Sequence, residues 1–414
     1  MDTEFALDVE RVRADFPILS QEVNGRPLVY LDNGATTQVP NPVLDAVVAH
    51  YRTDNANVHR GIHTLSERST AKLEASREVV RAFLNAASAD EVVFTSGTTA
   101  SVNMVACAWE ARLAPGQCVV VSALEHHVNF VPWQQACMRS GAEFFVCPLT
   151  AEGEVDLGAL EARLAAGGVS LVAMAHVSNV LGTVVPVGEV VRLAHAHGAA
   201  VLVDAAQSVR HEPLDVREIG CDFLCFSGHK VLGPTGIGVL YGKGELLGQL
   251  APSWYGGEMV AQVTAALTTF EELPLRFEPG TPNYVGALGL ATALDYVEGV
   301  GRKAVAAREA ALTAYAEERL RATKGVQVVG SPARRAGCVS FCVEGAHPFD
   351  IATLLDKLGV AVRSGSQCAQ PLLDETLGIH KVVRVSPAFY NTREEIDAFG
   401  EALERVVRLV TPRG

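Results

Sequence analysis

Hydrophobic residues between about residue 90 and residue 245 come in short continuous runs. Seven of these runs predict buried strands: EVVFTS, CVVVSA, EFFVCPL, VSLVAMAHV, AAVLVDAA, CDFLCFS and GIGVLYG. Segments with helical spacing, such as VPVGEVVRLAHAHGA, lie between several of them. Continuous runs are typical of strands that helices cover on both faces, so the pattern predicts an α/β fold with a mostly parallel sheet. GIGVLYG follows the preceding run too closely for a crossover helix, which predicts one antiparallel neighbour.

The pattern changes near residue 295, where a second and smaller unit is expected to begin. The stretch 301–324 predicts a long helix that Gly325 ends. Beyond it, short runs (VQVVG, GCVSFCV, VAVRS, VVRVSPA) are interspersed with helical patterns (FDIATLLDKLG, TREEIDAFGEALERVVRLV). Strands with helices on one face indicate a small α+β domain over 295–414, after a large domain over 26–294. We expect residues 1–25 to pack with the small domain.

Composition excludes several classes of protein. The chain has 414 residues, of which 49% are hydrophobic, and a net charge of −13, which argues against a nucleic-acid or anionic-membrane partner. No apolar run approaches the roughly 20 residues that a membrane-spanning helix requires. The nine cysteines are odd in number and form no C-x-x-C pair, so neither a disulfide framework nor a zinc site is indicated. We expect a cytoplasmic protein.

Polar side chains follow several of the predicted strands. Asp204 ends AAVLVDAA with Gln207 three residues later, LEHHVN offers His126 and His127, and HVSNVLG contributes Asn179. Ligand sites of doubly wound sheets lie outside these carboxyl ends of the strands. Each residue also has an ordinary explanation, because a lone Asp often caps a helix and a lone His often lies on the surface or in a satisfied core.

One ligand would explain the whole series of polar strand ends. Gly97, Thr98 and Thr99 enter a helix after EVVFTS, which suits a phosphate, although an ordinary Thr N-cap has the same sequence. SGHK places Ser227 and His229 beside Lys230. A phosphorylated aromatic aldehyde would form a Schiff base with the lysine, pair its ring nitrogen with the aspartate at the earlier strand end, and place its phosphate on the hydroxyl groups.

Longer segments of the chain resemble a known family. They are VRADFPILSQEVNGRPLVYLDNGATTQVP, NVHRGIHTLSERST, SGTTASVNMVA, EHHVNFVPWQ, HVSNVLGT, VDAAQSV, DFLCFSGHKVLGPTGIGVLYG, RFEPGTPN and SPAFYNT. In these segments, which span nearly the whole chain, the protein resembles the class V aminotransferase-like enzymes of fold type I, and specifically cysteine desulfurases of the SufS and CsdA type. That resemblance implies a pyridoxal 5′-phosphate (PLP) enzyme of the transferase class.

The resemblance implies a set of cofactor-binding residues. They are Thr98, Thr99, His126, Asn179, Asp204, Gln207, Ser227, His229, Lys230 and Thr281. Within this set Lys230 would carry the cofactor covalently and move protons, His126 would stack on its ring, and Asp204 would keep its ring nitrogen protonated. Thr281 would reach the phosphate of the other subunit, which implies a homodimer.

The resemblance also implies a substrate site and a reaction. Its substrate-binding residues would be Arg384, Asn179, Arg363, His59 and Arg60, and no metal is implied. The catalytic residues would be Lys230, Cys368 and His126. L-Cysteine would become L-alanine while Cys368 keeps the sulfur as a persulfide. A SufE- or SufU-type protein would accept this sulfur for iron–sulfur clusters or other sulfur metabolism.

The chain departs from the family pattern at a few positions, and other functions remain open. Ser366 and Gln367 stand where the family commonly has histidine before the cysteine, and Gly34 stands where it commonly has alanine. Relatives with the same cofactor residues act as selenocysteine lyases, other lyases, aminotransferases or epimerases. A protein that binds PLP without turnover is a further alternative, which the joint presence of the lysine, aspartate, histidine, arginine and cysteine disfavours.

Overall fold

A seven-stranded sheet lies at the centre of this computed structural model, which describes residues 7–410. Its strands are β1 (Val92–Thr95), β2 (Cys118–Ser122), β3 (Glu143–Cys147), β4 (Val169–Ala175), β5 (Ala200–Asp204), β6 (Phe223–Ser227) and β7 (Gly238–Gly242). Their order across the sheet is β1-β7-β6-β5-β4-β2-β3. The pairs from β6 to β3 are parallel, and β7 is antiparallel to both of its neighbours.

Helices connect these strands and cover both faces of the sheet. They are α1 (Val9–Arg13), α2 (Asn41–Thr53), α3 (Thr64–Leu84), α4 (Thr98–Glu110), α5 (Val131–Ser140), α6 (Leu157–Ala165), α7 (Val187–Ala196), α8 (Ser208–His211), α9 (Val216–Ile219), α10 (Gly244–Gln249) and α11 (Tyr284–Val300). Successive strand residues enter different cores, since Val201 and Val203 pack on one side and Leu202 on the other. This two-sided burial is why the strands contain continuous apolar runs.

A four-stranded antiparallel sheet forms the core of the C-terminal unit. Its strands β8 (Val326–Val328), β9 (Val339–Val343), β10 (Arg363–Gly365) and β11 (Val382–Val385) have the order β8-β9-β11-β10. Helices α12 (Arg302–Ala322), α13 (Pro348–Asp356) and α14 (Arg393–Val410) accompany it. The helices and the sheet share one hydrophobic core, which contains Leu320, Phe341 and Phe399. They therefore form two layers packed against each other.

The N-terminal segment joins the C-terminal unit to the site region. A two-residue strand at Val29–Tyr30 pairs in parallel with Val360–Ala361, and Asp32 forms a bridge with Ser386. Further upstream, Arg13 donates a hydrogen bond to Glu395 at 2.9 Å. Residues 1–6 of the predicted N-terminal segment lie outside the described residues, and the predicted boundaries at 25/26 and 294/295 stay predictions.

The predicted fold class is confirmed, with differences in detail. All seven runs in the large unit are strands, and β7 has two antiparallel neighbours where we predicted one. The predicted strand VAVRS is split into Val360–Ala361 and β10, which belong to different sheets. Each short piece pairs with a partner more than 15 residues away in sequence, and local hydrophobicity does not specify such partners.

Two broader expectations concern membranes and metals. Within residues 7–410, every helix is too short or too polar to cross a membrane. The same residues contain no group of three or more His, Cys, Asp or Glu side chains that could hold a metal ion.

A buried ion pair fixes α3 to the edge strand β1. Arg77 donates to both carboxylate oxygens of Glu278, at 2.7 and 2.9 Å, and to the Val92 carbonyl at 2.8 Å. The Phe94 backbone N–H donates to the same carboxylate at 2.6 Å. Both charged side chains are almost fully buried, so these hydrogen bonds replace water around them, and Arg77 Nε also donates to the half-exposed Glu74 at 3.2 Å.

We predict that Glu278→Leu lowers the free energy of unfolding by about 3 kcal/mol, because the buried Arg77 guanidinium loses its buried carboxylate and keeps only the half-exposed Glu74 and the Val92 carbonyl as partners. The double variant Arg77→Met/Glu278→Leu should recover at least about 1 kcal/mol of that loss, since no uncompensated charge remains. Urea unfolding followed by circular dichroism measures both values. A double variant no more stable than Glu278→Leu would contradict this account.

Candidate active site

A cavity opens at the carboxyl ends of the central strands. Its walls are Thr98, Thr99, His126, Val128, Ala175, Val177, Asn179, Asp204, Ala206, Gln207, Ser227, His229 and Lys230. Nine of the ten residues predicted to bind the cofactor are therefore together around one space. The exception is Thr281.

The N-terminus of α4 forms one end of this cavity. The backbone N–H and the hydroxyl of Thr98 both lie 2.9 Å from the Ser227 hydroxyl. Gly97 precedes the helix with φ +142°, a backbone conformation that residues with a Cβ rarely adopt, and an added Cβ would lie 3.1 Å from the same hydroxyl. Unpaired N–H groups and hydroxyls at a helix N-terminus suit the phosphate of a ligand.

Lys230 also lines this cavity. Its Nζ donates a hydrogen bond to the Gly34 carbonyl at 2.5 Å, and Gln207 Nε2 donates to the same oxygen at 2.9 Å. Burial, followed by repulsion from Arg384, lowers the pKa of Lys230 to about 7. A lysine that loses its proton near neutral pH can act as a nucleophile toward a carbonyl group.

Asp204 and His126 also line the cavity. Burial raises the pKa of Asp204 to about 6, with the nearby Lys230 acting in the opposite direction. A buried carboxylate in this state favours a cationic partner such as a protonated ring nitrogen. Burial and the charge of Lys230 lower the pKa of His126 to about 4, so its ring is neutral. The Val128 N–H donates to His126 Nδ1 at 3.0 Å, which leaves Nε2 with the proton.

A second cavity adjoins the first one. It shares His126, Asn179, Gln207 and Lys230 with the first cavity and adds the segment 363–368 and Arg384. Six of the eight predicted substrate and catalytic residues therefore line one space: His126, Asn179, Lys230, Arg363, Cys368 and Arg384. The predicted residues His59, Arg60 and Thr281 line neither cavity.

Arg384 is held so that one of its nitrogen atoms stays free. Nη1 donates to the Asn179 carbonyl at 2.8 Å and Nη2 to Asp32 Oδ1 at 3.4 Å, while Nε is buried without a partner. Asn179 Oδ1 is also buried and unpaired. Arg363 donates to both oxygens of Asp32 at 2.8–3.1 Å. The unpaired Arg384 Nε is a donor that suits a ligand carboxylate, whereas Asn179 Oδ1 is an acceptor that suits a donor group of the ligand.

Sequence reasoning missed the residues that support this site. Asp32 holds both arginines, but it stands more than 300 residues away from them in the chain. Glu125 is buried beside His126, where it accepts hydrogen bonds from Asn129 and Ala175, and burial raises its pKa to about 7. Its position directly before the two histidines was a signal that could have suggested a supporting role.

Lys230 also has support from its other side. Arg210 donates to the Lys230 carbonyl at 3.3 Å and to Glu309 of α12 at 2.5 Å. Glu309 further accepts from His211 and from the Phe389 N–H. Burial alone would raise the pKa of Glu309, but the Arg210 charge and the hydrogen bonds from His211 and Phe389 hold it below its usual range. This buried cluster connects the lysine to the C-terminal unit.

The residues that are present fit PLP. The helix N-terminus offers a phosphate cradle, Lys230 offers an amine for the aldehyde, Asp204 offers a carboxylate for the ring nitrogen, and His126 offers a ring to stack.

Comparison of the sequence with known proteins supports this interpretation of the site. The family model described as aminotransferase class-V matches residues 29–399. A cysteine desulfurase of Klebsiella pneumoniae (strain 342) is 48% identical over 408 residues, which cover 97% of this chain and 99% of the relative. A probable cysteine desulfurase of Halalkalibacterium halodurans is 46% identical over 400 residues, or 96% of this chain and 98% of the relative.

A solved structure extends this agreement to three dimensions. The cysteine desulfurase CsdA (S-sulfonic acid) of Escherichia coli superposes with a TM-score of 0.91 at 38% identity, covering 98% of this chain and 100% of that chain. The predictions of fold, family and PLP cofactor are thereby confirmed. The chain belongs to the class-V aminotransferase family, among its cysteine desulfurases.

Proposed function

We propose that this chain is a PLP-dependent cysteine desulfurase that converts L-cysteine to L-alanine and holds the released sulfur as a persulfide on Cys368. The observation that carries the proposal is the pair of adjoining cavities. One offers the groups that PLP needs, and the other adds Cys368 and Arg384 while sharing Lys230 and His126. A nucleophilic thiol beside a carboxylate-binding arginine suits sulfur transfer from an amino acid.

Arg384 and Asn179 orient the substrate. The free Nε of Arg384 and its fixed guanidinium bind the carboxylate, which brings the α-amino group toward the cofactor cavity. PLP, when bound, supplies an electron sink for bonds at the substrate α-carbon. Lys230, with a pKa of about 7, can take a proton from one atom and return it to another at neutral pH.

Cys368 completes the reaction from the wall of the second cavity. Its thiolate attacks the substrate sulfur, so that an S–S bond forms while the Cβ–S bond breaks. The electron pair of the broken bond remains with Cβ, which gains a proton and becomes the methyl group of alanine. The thiol and cysteine thus give a persulfide and alanine, and neither an oxidant nor a reductant is consumed.

An acceptor protein then removes the sulfur. Cys368 is exposed in a short segment between Arg363 and Pro371, so a partner thiol can approach it. We propose a SufE- or SufU-type acceptor in the cytoplasm, with iron–sulfur clusters or other sulfur metabolites as the destination.

The second subunit of a homodimer supplies the remaining phosphate and substrate contacts. Arg60 pairs with Glu258 at 3.1 Å, and the Gly280 N–H binds the Gly257 carbonyl at 2.9 Å, which brings Arg60 and Thr281 to one surface. Large apolar side chains are exposed along the same segments: Ile62, Trp254 and Tyr255. A surface with such apolar groups supports a subunit interface.

We predict that Lys230 in the cofactor-free protein becomes reactive toward an amine-specific acylating reagent with a midpoint near pH 7. Burial and the charge of Arg384 disfavour its ammonium form, so Arg384→Gln should move the midpoint upward. Peptide mass spectrometry after brief labelling at several pH values measures the midpoint. A midpoint above pH 9 in the unmodified sequence would contradict this description of the site.

We predict that Cys368→Ala abolishes the formation of alanine and sulfide from L-cysteine, while visible absorption of bound PLP remains. The matched control is Cys107→Ala, because Cys107 is the other exposed cysteine of the described residues and lines neither site cavity. Alanine and sulfide are quantified in the presence of a reductant. Full turnover of cysteine by Cys368→Ala would contradict the persulfide mechanism. If the unmodified protein turned over selenocysteine but not cysteine, the result would favour a selenocysteine lyase.

We predict that two inactive variants complement each other across the dimer. Thr281→Glu places a negative charge where the proposal has the partner's phosphate, and Lys230→Ala removes the lysine. Random mixing gives heterodimers in which one site has both defects and the other has none, so about a quarter of the sites should be intact. Turnover after joint refolding measures this. The absence of any recovery, with dimers present, would show that Thr281 acts within its own subunit.

A further inference from the structure

The segment that contains Cys368 has an unfavourable backbone conformation. Gln367 and Cys368 have φ values of 54° and 53°, and both belong to the left-handed region that residues with a Cβ avoid. Two such residues in succession persist only when neighbouring groups hold them in place. The turn also directs the carbonyl groups of both residues toward the rest of the protein.

Three hydrogen bonds between the segment and residues outside it hold this turn. Asn179 Nδ2 donates to the Gln367 carbonyl at 2.7 Å, and the His127 backbone N–H donates to the Cys368 carbonyl at 2.7 Å. The Gln370 N–H in turn donates to His127 Nε2 at 3.1 Å. His127 therefore contacts the turn twice, once with its backbone and once with its ring.

The ring contact requires a particular form of His127. Nε2 can accept a hydrogen bond only when it carries no proton, so the ring must be neutral with its proton on Nδ1. Burial lowers the pKa of His127, which favours the neutral ring. The preceding residue, His126, faces the cofactor cavity, so one dipeptide connects the cofactor site with the Cys368 turn.

We propose that His127 is a positioning residue for Cys368, which fixes the strained turn through the Cys368 carbonyl and the Gln370 N–H. This role rests on the proposed attack by Cys368. A thiol on a freely moving segment would meet the substrate sulfur less often, whereas the binding of the substrate carboxylate by Arg384 would be unaffected.

The experiment compares His127→Leu with His127→Gln in the PLP-bound protein. Leu keeps the backbone contact and removes the acceptor, whereas Gln Oε1 can reach the position of Nε2. Hydrogen exchange of the Gln370 amide, resolved by peptide mass spectrometry of residues 366–372, should accelerate at least about fivefold in His127→Leu, as expected for the loss of one hydrogen bond. It should stay close to the unmodified rate in His127→Gln.

Steady-state kinetics provide the second measurement. We expect kcat for alanine formation to fall about tenfold in His127→Leu with KM for L-cysteine within a factor of about two, and His127→Gln to restore most of kcat. Unchanged exchange in His127→Leu, or equal defects in both variants, would overturn the proposal. If His127→Leu does not retain PLP, the measurement on His127→Gln alone tests the proposal. Protection of the Gln370 amide from exchange in His127→Gln supports the positioning role of His127, and loss of that protection overturns it.

These outcomes are separate from a failure of the proposed function. Hydrogen exchange reports the Gln370 contact whether or not Cys368 carries sulfur. If Cys368→Ala instead still formed alanine and sulfide from L-cysteine, the proposed function would be wrong. The hydrogen-exchange result would even then report whether His127 holds the Gln370 amide.

Discussion

The site depends on the carbonyl oxygen of Gly34, which accepts hydrogen bonds from both Lys230 and Gln207. The two donors come from loops that follow β6 and β5, whereas the acceptor belongs to the N-terminal segment that pairs with the C-terminal unit. This one oxygen therefore connects two loops of the seven-stranded sheet to the segment that pairs with the C-terminal unit, and it does so beside Lys230. A Cβ at Gly34 would lie 3.1 Å from the Arg384 guanidinium, so the close approach also limits the space beside Arg384.

The charges around this contact are balanced by two carboxylates. Lys230, Arg363 and Arg384 bring positive charge to the two cavities, while Asp32 and Asp204 oppose it from different sides. Asp32 partly neutralises the arginines without occupying every donor, because Arg384 Nε stays free. The mutual repulsion of the cations and the burial of Lys230 act in the same direction on the lysine pKa. These charges thus favour a carboxylate ligand beside Arg384 and a neutral Lys230 together.

Much of this organisation was predictable from the sequence. Continuous apolar runs predicted all seven strands of the large sheet, because strands buried on both faces require apolar residues at every position. Polar groups directly after those runs predicted Asp204, Lys230 and Asn179 as neighbours, since parallel strands end at one edge. The roles of Cys368, Arg384 and Thr281 came from the family resemblance rather than from periodicity.

The remaining features depend on contacts between distant parts of the chain. The pairing of Asp32 with Arg363 spans 331 residues, and the contact between His127 and Gln370 spans 243. The left-handed backbone at Gln367 and Cys368 was equally hidden, because neither residue type favours that region. Local patterns contain no information about such pairs, which tertiary packing alone creates.

The most direct test of the account is to locate the sulfur after one turnover. The PLP-bound protein is mixed with L-cysteine without reductant, alkylated at once, and digested for mass spectrometry of every cysteine-containing peptide. The account predicts one additional sulfur atom on the peptide with Cys368, in an amount equal to the alanine formed. Additional sulfur on another cysteine, or alanine without any additional sulfur on Cys368, would contradict the central claim.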